Sequence, residues 1–459
     1  MNCIIFKFRK AIIPLLGLCI ATFAMGQLSY EPLPTSRNVL KWPFSVESIW
    51  NTPIGSNAQY VHAQLELPTG YYVMTIDEDY IVMCPDAPLR YIYESDARWD
   101  SSKSRCNITG GKVFDEAIPL PDDFVVSPEN WSGGTPNSGA AILMSDRKTI
   151  VQTQPFARCK PGEDATSYYT FEFKNDDKSI YGNGYYGAHG GSYLSAIGGT
   201  LRVGELTPTS GPIRHALKVN VFSNKNLYYN NESKGFRWPA LTADSKASVN
   251  YGKDRKNPIV KDCRMGALLA LPPDVAISSY DLETEPGKIL AQAFQDYGAY
   301  IVDDTAWDVN AIATEWGPDG RFKDEFKNNW GFDFSATKDS PFANDMQKIF
   351  ANLHVVVNNQ SSSIGGGGIA RAPLAPPFDD LPTEDNSATE NNPISVFFDS
   401  NENKLHIKGY RGQAIVFNMR GEIVKQISIP NGSCVLQDIT PGFYLLQLDD
   451  NQTYKFQKK

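Results

Sequence analysis

One short window of the chain is the most suggestive chemically. It begins with Tyr181-Gly182-Asn183-Gly184-Tyr185-Tyr186-Gly187-Ala188-His189-Gly190-Gly191-Ser192. Gly198-Gly199-Thr200-Leu201-Arg202-Val203-Gly204-Glu205 and Pro212-Ile213-Arg214-His215-Ala216-Leu217 follow. Only five histidines occur in the chain, so two of them here are a signal. Abstraction of the proton beside a uronate carboxyl group needs a base of near-neutral pKa and a cation to stabilise the enolate. His189, His215 or Tyr186 would supply the base, and Arg202 or Arg214 the cation. Glycoside hydrolysis would instead need two carboxyl groups facing the scissile bond, and Glu205 with Asp303 or Asp304 is the candidate pair. Asp303-Asp304 follows the apolar Ala299-Tyr300-Ile301-Val302, which places it at the end of a strand.

Aromatic residues make up 12% of the chain, and all eight tryptophans precede residue 331. Indole and phenol rings stack on the apolar faces of sugars. Trp131, in Trp131-Ser132-Gly133-Gly134, and Trp316, in Glu315-Trp316-Gly317-Pro318, have the polar, glycine-flanked settings expected of substrate-binding rings. Ser192 lacks the frame of a serine-hydrolase elbow, Gly365 to Gly368 lacks the lysine of a phosphate loop, and no His-x-x-x-His pair occurs. No metal site is therefore assigned, although loop oxygens near Asn175-Asp176-Asp177 have the chemistry for calcium. The sequence names no cofactor.

The elements that must hold these residues are short alternating stretches: Tyr71-Tyr72-Val73-Met74, Tyr80-Ile81-Val82-Met83, Tyr168 to Phe173, and Leu217-Lys218-Val219-Asn220-Val221. Gly, Pro, Asn and Asp punctuate them, which suggests a mainly-β body built as a β-sandwich or jelly roll. Two helices stand out, from about Pro286 to Tyr297 and from about Phe342 to Leu353. With 41% hydrophobic and 21% charged residues, the composition is that of a globular chain.

Both ends read as an address. Lys7, Arg9 and Lys10 precede an apolar run, Ala11 to Ala24, and the small residues of Ala24-Met25-Gly26, so residues 1–26 form a signal peptide. The run is too short for a membrane span, and no later segment supplies one. Losing the leader takes the formal charge from −9 to −12, which argues against nucleic acid as a partner. The exception is a basic stretch, Lys253 to Arg264, read as a solvated loop. Residues 27–378 form the body, 379–393 an acidic linker and 394–459 a small C-terminal antiparallel β-sandwich. Cys84, Cys106, Cys159 and Cys263 are left in the body, an even number for two disulfides. Cys84–Cys106 with Cys159–Cys263 is the simplest of three pairings.

Four C-terminal pieces, in order, carry a resemblance. They are Lys404-Leu405-His406-Ile407, Val416-Phe417-Asn418-Met419-Arg420-Gly421-Glu422, Ile439-Thr440-Pro441-Gly442-Phe443-Tyr444-Leu445-Leu446 and the closing Tyr454-Lys455-Phe456-Gln457-Lys458-Lys459. Together they resemble the sorting domain of the type IX secretion system of Bacteroidetes. The resemblance implies the secretion machinery as a partner and a secreted or cell-surface destination. Arg214 to Leu217, Gly266 to Leu271 and Gln295 to Asp304 are also similar to stretches in a loosely defined group of exported bacterial proteins without assigned activity. The expectation is an exported protein acting on polysaccharide, as lyase or glycoside hydrolase. A non-catalytic glycan-binding protein or surface adhesin is the alternative.

Overall fold

The structure, a computed structural model, describes residues 33–126, 137–170, 178–379, 395–399, 403–408, 412–429, 433–436, 439–448 and 453–458. The leader, most of the linker, Trp131 and Asn175-Asp176-Asp177 lie outside the described residues. The chain divides into two compact units, Met1–Leu381 and Pro382–Lys459.

The body is mainly β. Its principal sheet has twelve strands: β1 (Tyr60–His62), β2 (Tyr72–Val82), β3 (Ala140–Leu143), β4 (Ile150–Gln154), β5 (Tyr169–Thr170), β6 (Leu217–Val221), β7 (Leu268–Ala270), β8 (Ala299–Asp304), β9 (Asn310–Gly317), β10 (Gly320–Arg321), β11 (Ala336–Thr337) and β12 (His354–Val356). Ten of them run in the order β1-β12-β7-β8-β6-β9-β2-β3-β4-β5, with β10 beside β9 and β11 beside β2. The sheet is mixed. β6–β8, β9–β2 and β2–β3 pair in parallel, and β6–β9 in antiparallel fashion. Short alternating strands in a sequence do not reveal the direction of their neighbours, so this mixture becomes visible only in the fold.

Side chains alternate across a strand, and β6 shows what that does here. Leu217, Val219 and Val221 join one hydrophobic core with Ile301, Ile312, Leu290, Phe294, Phe342 and Phe350. Lys218 and Asn220 point to the opposite face, where Trp50, Leu194, Ala196, Ile197 and Tyr300 form a second core. The helices α1 (Glu285–Asp296), α2 (Phe322–Trp330) and α3 (Pro341–Ala351) pack on the first face. Thr284 caps α1 by accepting from the Gly287 N–H at 3.1 Å, and Ser340 caps α3 through the Ala343 N–H at 3.3 Å. Gly298, at φ +74°, takes the left-handed conformation that lets the chain turn from α1 into β8.

Register decides one functional detail. Val219 pairs with Ile301, but Asn220 pairs with Asp303, so β8 carries one extra residue, Val302, at a bulge. The bulge brings Asp303 to the same face as Asn220; in unbroken register it would have faced the helices.

The cysteine pairing differs from the expectation of two bridges. A single disulfide joins Cys106 to Cys159, with Cα atoms 5.8 Å apart, while Cys84 and Cys263 are free thiols. Cys263 lies in the core on the helix side, and burial pushes its thiol up to about 12. The fold places it with that core, whereas Cys84 packs against a third core containing Ile92, Leu120 and Phe124.

The C-terminal unit has two antiparallel sheets, Ser395–Asp399 with Lys404–Lys408 and Ser433–Val435, and Ile423–Ile429 with Gly412–Asn418, Gly442–Leu448 and Thr453–Lys458. Leu405, Ile407, Val416, Leu446, Leu448 and Phe456 are in its core. Gly421, at φ +80°, makes the hairpin turn, and the Asn418 carboxamide accepts from the Arg420 and Glu422 N–H groups at 2.9 and 3.0 Å. Lys458 is buried and donates to the carbonyls of Leu436 and Ile439.

Candidate functional site

A polar layer runs across the face of the sheet opposite the helices. Asp77 and Asp79 lie two residues apart on β2, and Lys218 and Asn220 two apart on β6, so all four side chains meet there. Asp79 is the hub. Its Oδ1 lies 2.8 Å from His189 Nδ1, and its Oδ2 accepts from Lys218 Nζ at 2.8 Å and from Thr200 Oγ1 at 2.9 Å. Lys218 also donates to the Ser195 carbonyl at 2.7 Å. Asp77 Oδ2 accepts from Asn220 Nδ2 at 2.7 Å and lies 3.4 Å from His189 Nε2. Lys218, Asp79 and His189 are each at most 1% exposed. Burial works to raise Asp79, but His189 and Lys218 outweigh it and hold the carboxyl below its ordinary range. For Asp77 burial wins, helped by the charge of Asp79, and the carboxyl is raised.

The layer continues into a carboxyl-rich end. Asp303 Oδ1 accepts from the Gly191 and Asp304 N–H groups at 3.0 and 2.9 Å, and the Asn137 amide donates to Oδ2. Burial, then the charges of Asp244 and Asp77, push Asp303 well above the usual carboxylate range. Asp244 accepts from the Tyr251 hydroxyl at 2.6 Å and is raised by burial. Asp304 is pushed up to about 6, again mainly by burial. Gly190 and Gly191 are required here. A Cβ on Gly190 would come within 2.2 Å of the Asp303 carboxyl carbon, and one on Gly191 within 2.3 Å of Asp244 Oδ1. Asn137 extends the site outward, accepting from Trp99 Nε1 at 3.0 Å. Trp99 and Tyr169 have ring centroids 6.0 Å apart, Tyr169 and Tyr168 4.2 Å apart, and Tyr169 is exposed.

At the opposite end, Arg202 forms a two-point ion pair with Glu315, at 2.9 and 3.1 Å. Glu205 Oε2 accepts from the Arg202 N–H at 2.7 Å and lies 3.1 Å from His215 Nε2, while His215 Nδ1 is 2.9 Å from the Ala216 carbonyl. Burial works to lower His215, yet Glu205 and the Ala216 carbonyl prevail and raise it. A pocket of about 500 Å³ opens beside this group.

The residues singled out from sequence thus separate into two places. Arg202, Glu205, Arg214 and His215 line the pocket together. His189 and Asp303 belong to the acidic layer, and among the described residues no hydrogen bond or ion pair joins either to His215 or Glu205. Tyr186 packs its ring against Tyr185, centroids 6.0 Å apart, within the apolar cover. Trp316 is half-buried against Tyr80, with the Arg321 guanidinium 3.8 Å from its ring. Sequence reasoning missed Asp77, Asp79, Lys218, Asn220, Asp244 and Tyr251. The signal available was two charged or polar pairs at spacing two, Asp77-x-Asp79 and Lys218-x-Asn220, the second inside a strand otherwise apolar.

Among the described residues no group of three or more His, Cys, Asp or Glu side chains is placed to hold a metal ion, and no helix is long and apolar enough to cross a membrane. Comparison with family models, curated proteins and solved structures finds no match to this chain.

Proposed function

We propose that the body is a polysaccharide-degrading enzyme of glycoside hydrolase type, exported by the type IX route that its C-terminal unit resembles. One observation carries this reading. Asp303, a carboxyl held far above its ordinary range, is linked through Asn137 to Trp99 and the neighbouring exposed ring of Tyr169. A proton-holding acid beside sugar-stacking rings is what cleavage of a glycosidic bond requires. Two interacting buried carboxyls do not ionise together. Asp303, the more buried, keeps the proton; Asp244, part-exposed and bonded by Tyr251, is the carboxylate. Asp303 gives its proton to the departing oxygen as the C–O bond breaks. Water adds to the anomeric carbon and passes a proton to Asp244, and exchange with solvent resets the pair.

The elimination route has weaker support. Both ring nitrogens of His215 are engaged and its pKa is raised, while His189 is almost wholly buried between Asp77 and Asp79. Non-catalytic glycan binding is the second reading, favoured by a separate exposed cluster of Tyr71, Tyr72 and Trp307.

The test is release of reducing ends from a polysaccharide panel by the purified chain. Asp303→Asn should lower turnover by ~10² to ~10⁴-fold with the melting temperature retained. Ultraviolet absorbance of unsaturated uronates would show elimination instead. An Asp303→Asn chain as active as the parent removes the proposal, and a chain that binds glycans without cleaving any of them leaves the second reading.

A further inference from the structure

The pocket at the His215 end has a charge that the acidic layer does not explain. Arg37, Lys41, Arg202, Arg214 and His215 line it, against the single carboxylate of Glu205. Two of these cations are balanced, Arg202 by Glu315 and His215 by Glu205. Arg37 is different. It is 4% exposed, and its guanidinium donates to the carbonyls of Pro376, Trp42, Pro43 and Phe44 at 2.7, 2.6, 3.1 and 2.5 Å. Among the described residues no carboxylate lies within ion-pair distance of it. Carbonyl dipoles satisfy its N–H groups, and the rings of Phe378 and Trp42 lie 3.9 and 5.5 Å from its guanidinium carbon, but no carboxylate neutralises its charge. Burial lowers its pKa only to about 10, so it remains a cation at neutral pH. Lys41 adds a second uncompensated charge, exposed at the rim and without an ion pair among the described residues.

Size narrows the occupant. About 500 Å³ lies within the range of pockets that hold small organic ligands and is far larger than one inorganic ion needs. Trp42, on the same wall, offers a ring for the apolar face of a sugar. We propose that this pocket binds an acidic sugar unit, its sulfate ester or carboxylate directed toward Arg37 and Lys41. The inference rests on charge and volume at this pocket and stands whether or not Asp303 is catalytic.

Titration calorimetry of the whole chain tests it with four probes: a sulfated oligosaccharide, a uronate oligosaccharide, a neutral oligosaccharide of equal length, and inorganic sulfate. One or both acidic oligosaccharides should bind at least ~10-fold more tightly than the neutral sugar and the free ion, with affinity falling as salt rises. Whichever binds identifies the anion. Lys41→Glu, an exposed change that leaves the core intact, should weaken binding by ~10-fold or more, whereas Lys160→Glu, at another exposed lysine, should not. Equal affinity for the neutral probe, equal affinity for inorganic sulfate, absence of binding by every probe, or indifference to Lys41→Glu would each overturn the proposal.

Discussion

Several side chains in the acidic layer, and His215 beside the pocket, bind protons more tightly in the folded chain than they would unfolded. Asp304 moves from 3.8 to about 6, Asp77, Asp244 and Asp303 move up as well, and His215 rises above 6.5. A group raised on folding gives the native state its extra proton, so its stabilisation is complete below the unfolded pKa and is lost as pH rises through the folded one. Asp304 contributes to this slope between pH ~4 and ~6, Asp77, Asp244 and Asp303 add to it above pH ~4, and His215 adds to it above ~6.5. Asp79, lowered on folding, works in the opposite sense, but only below 3.8. The melting temperature of the body should therefore fall by several degrees between pH ~5 and ~8. General repulsion in an acidic chain has the same sign, so Asp304→Asn is the control: it should flatten the part of the slope below pH ~6. A melting temperature that climbs over this range, or a slope that Asp304→Asn leaves unchanged, contradicts the assignment. His189 and Asp303 were visible in the sequence because a histidine beside glycines and a carboxylate at a strand end are unusual. Asp79 and Lys218 were not, since alternating polar residues in a strand ordinarily face water, and only the covering segment from Tyr186 to His215 shows that these are sealed in.

Among the elements, one contact ties two helices together more firmly than hydrophobic packing alone. Asp345, on α3 and fully buried, accepts from the Glu283 N–H at 2.7 Å, the Thr284 N–H at 2.7 Å and the Thr284 hydroxyl at 2.6 Å. It therefore satisfies three donors of the two residues that lead into α1, and burial leaves its own carboxylate dependent on them. Asp345→Ala should cost about 3 kcal/mol in denaturant unfolding, against about 1 kcal/mol for removal of the Ser340 cap by Ser340→Ala. Equal losses from the two changes would mean that Asp345 acts as no more than a cap. Both helices were legible from their apolar spacing. The third, Phe322–Trp330, was not, because Phe322, Phe326 and Trp330 are its only apolar residues and the rest of the segment is charged or amide-bearing. The bulge beside Asn220 was equally hidden, since register belongs to the pairing of strands and leaves no mark on either strand alone.

At the scale of the whole chain, the hydrophobic cores sort by unit. Three clusters draw only on residues up to Phe378, and the fourth only on residues from Val396 onward. A unit that buries its own core and closes its own sheets can fold by itself. The C-terminal strands were the most legible part of the sequence, because two of their antiparallel pairs, Gly412–Asn418 with Ile423–Ile429 and Gly442–Leu448 with Thr453–Lys458, join strands that follow one another closely in the chain. The body's sheet instead pairs β1 with β12 and β2 with β9, across separations that no local pattern records. This division yields an experiment in which folding and export separate. A chain ending at Leu381 should melt within ~2 °C of the body transition in the full-length protein and match it in the polysaccharide assay proposed above, since the body loses no residue of its cores or of the acidic layer. Expressed in a host that carries a type IX secretion system, the same truncated chain should accumulate inside the cell envelope, as expected if the missing sandwich is the export signal. A truncated body that reaches the medium normally would overturn the sorting role while leaving the catalytic reading intact. A truncated body that melts much lower or aggregates would show instead that the sandwich stabilises the body.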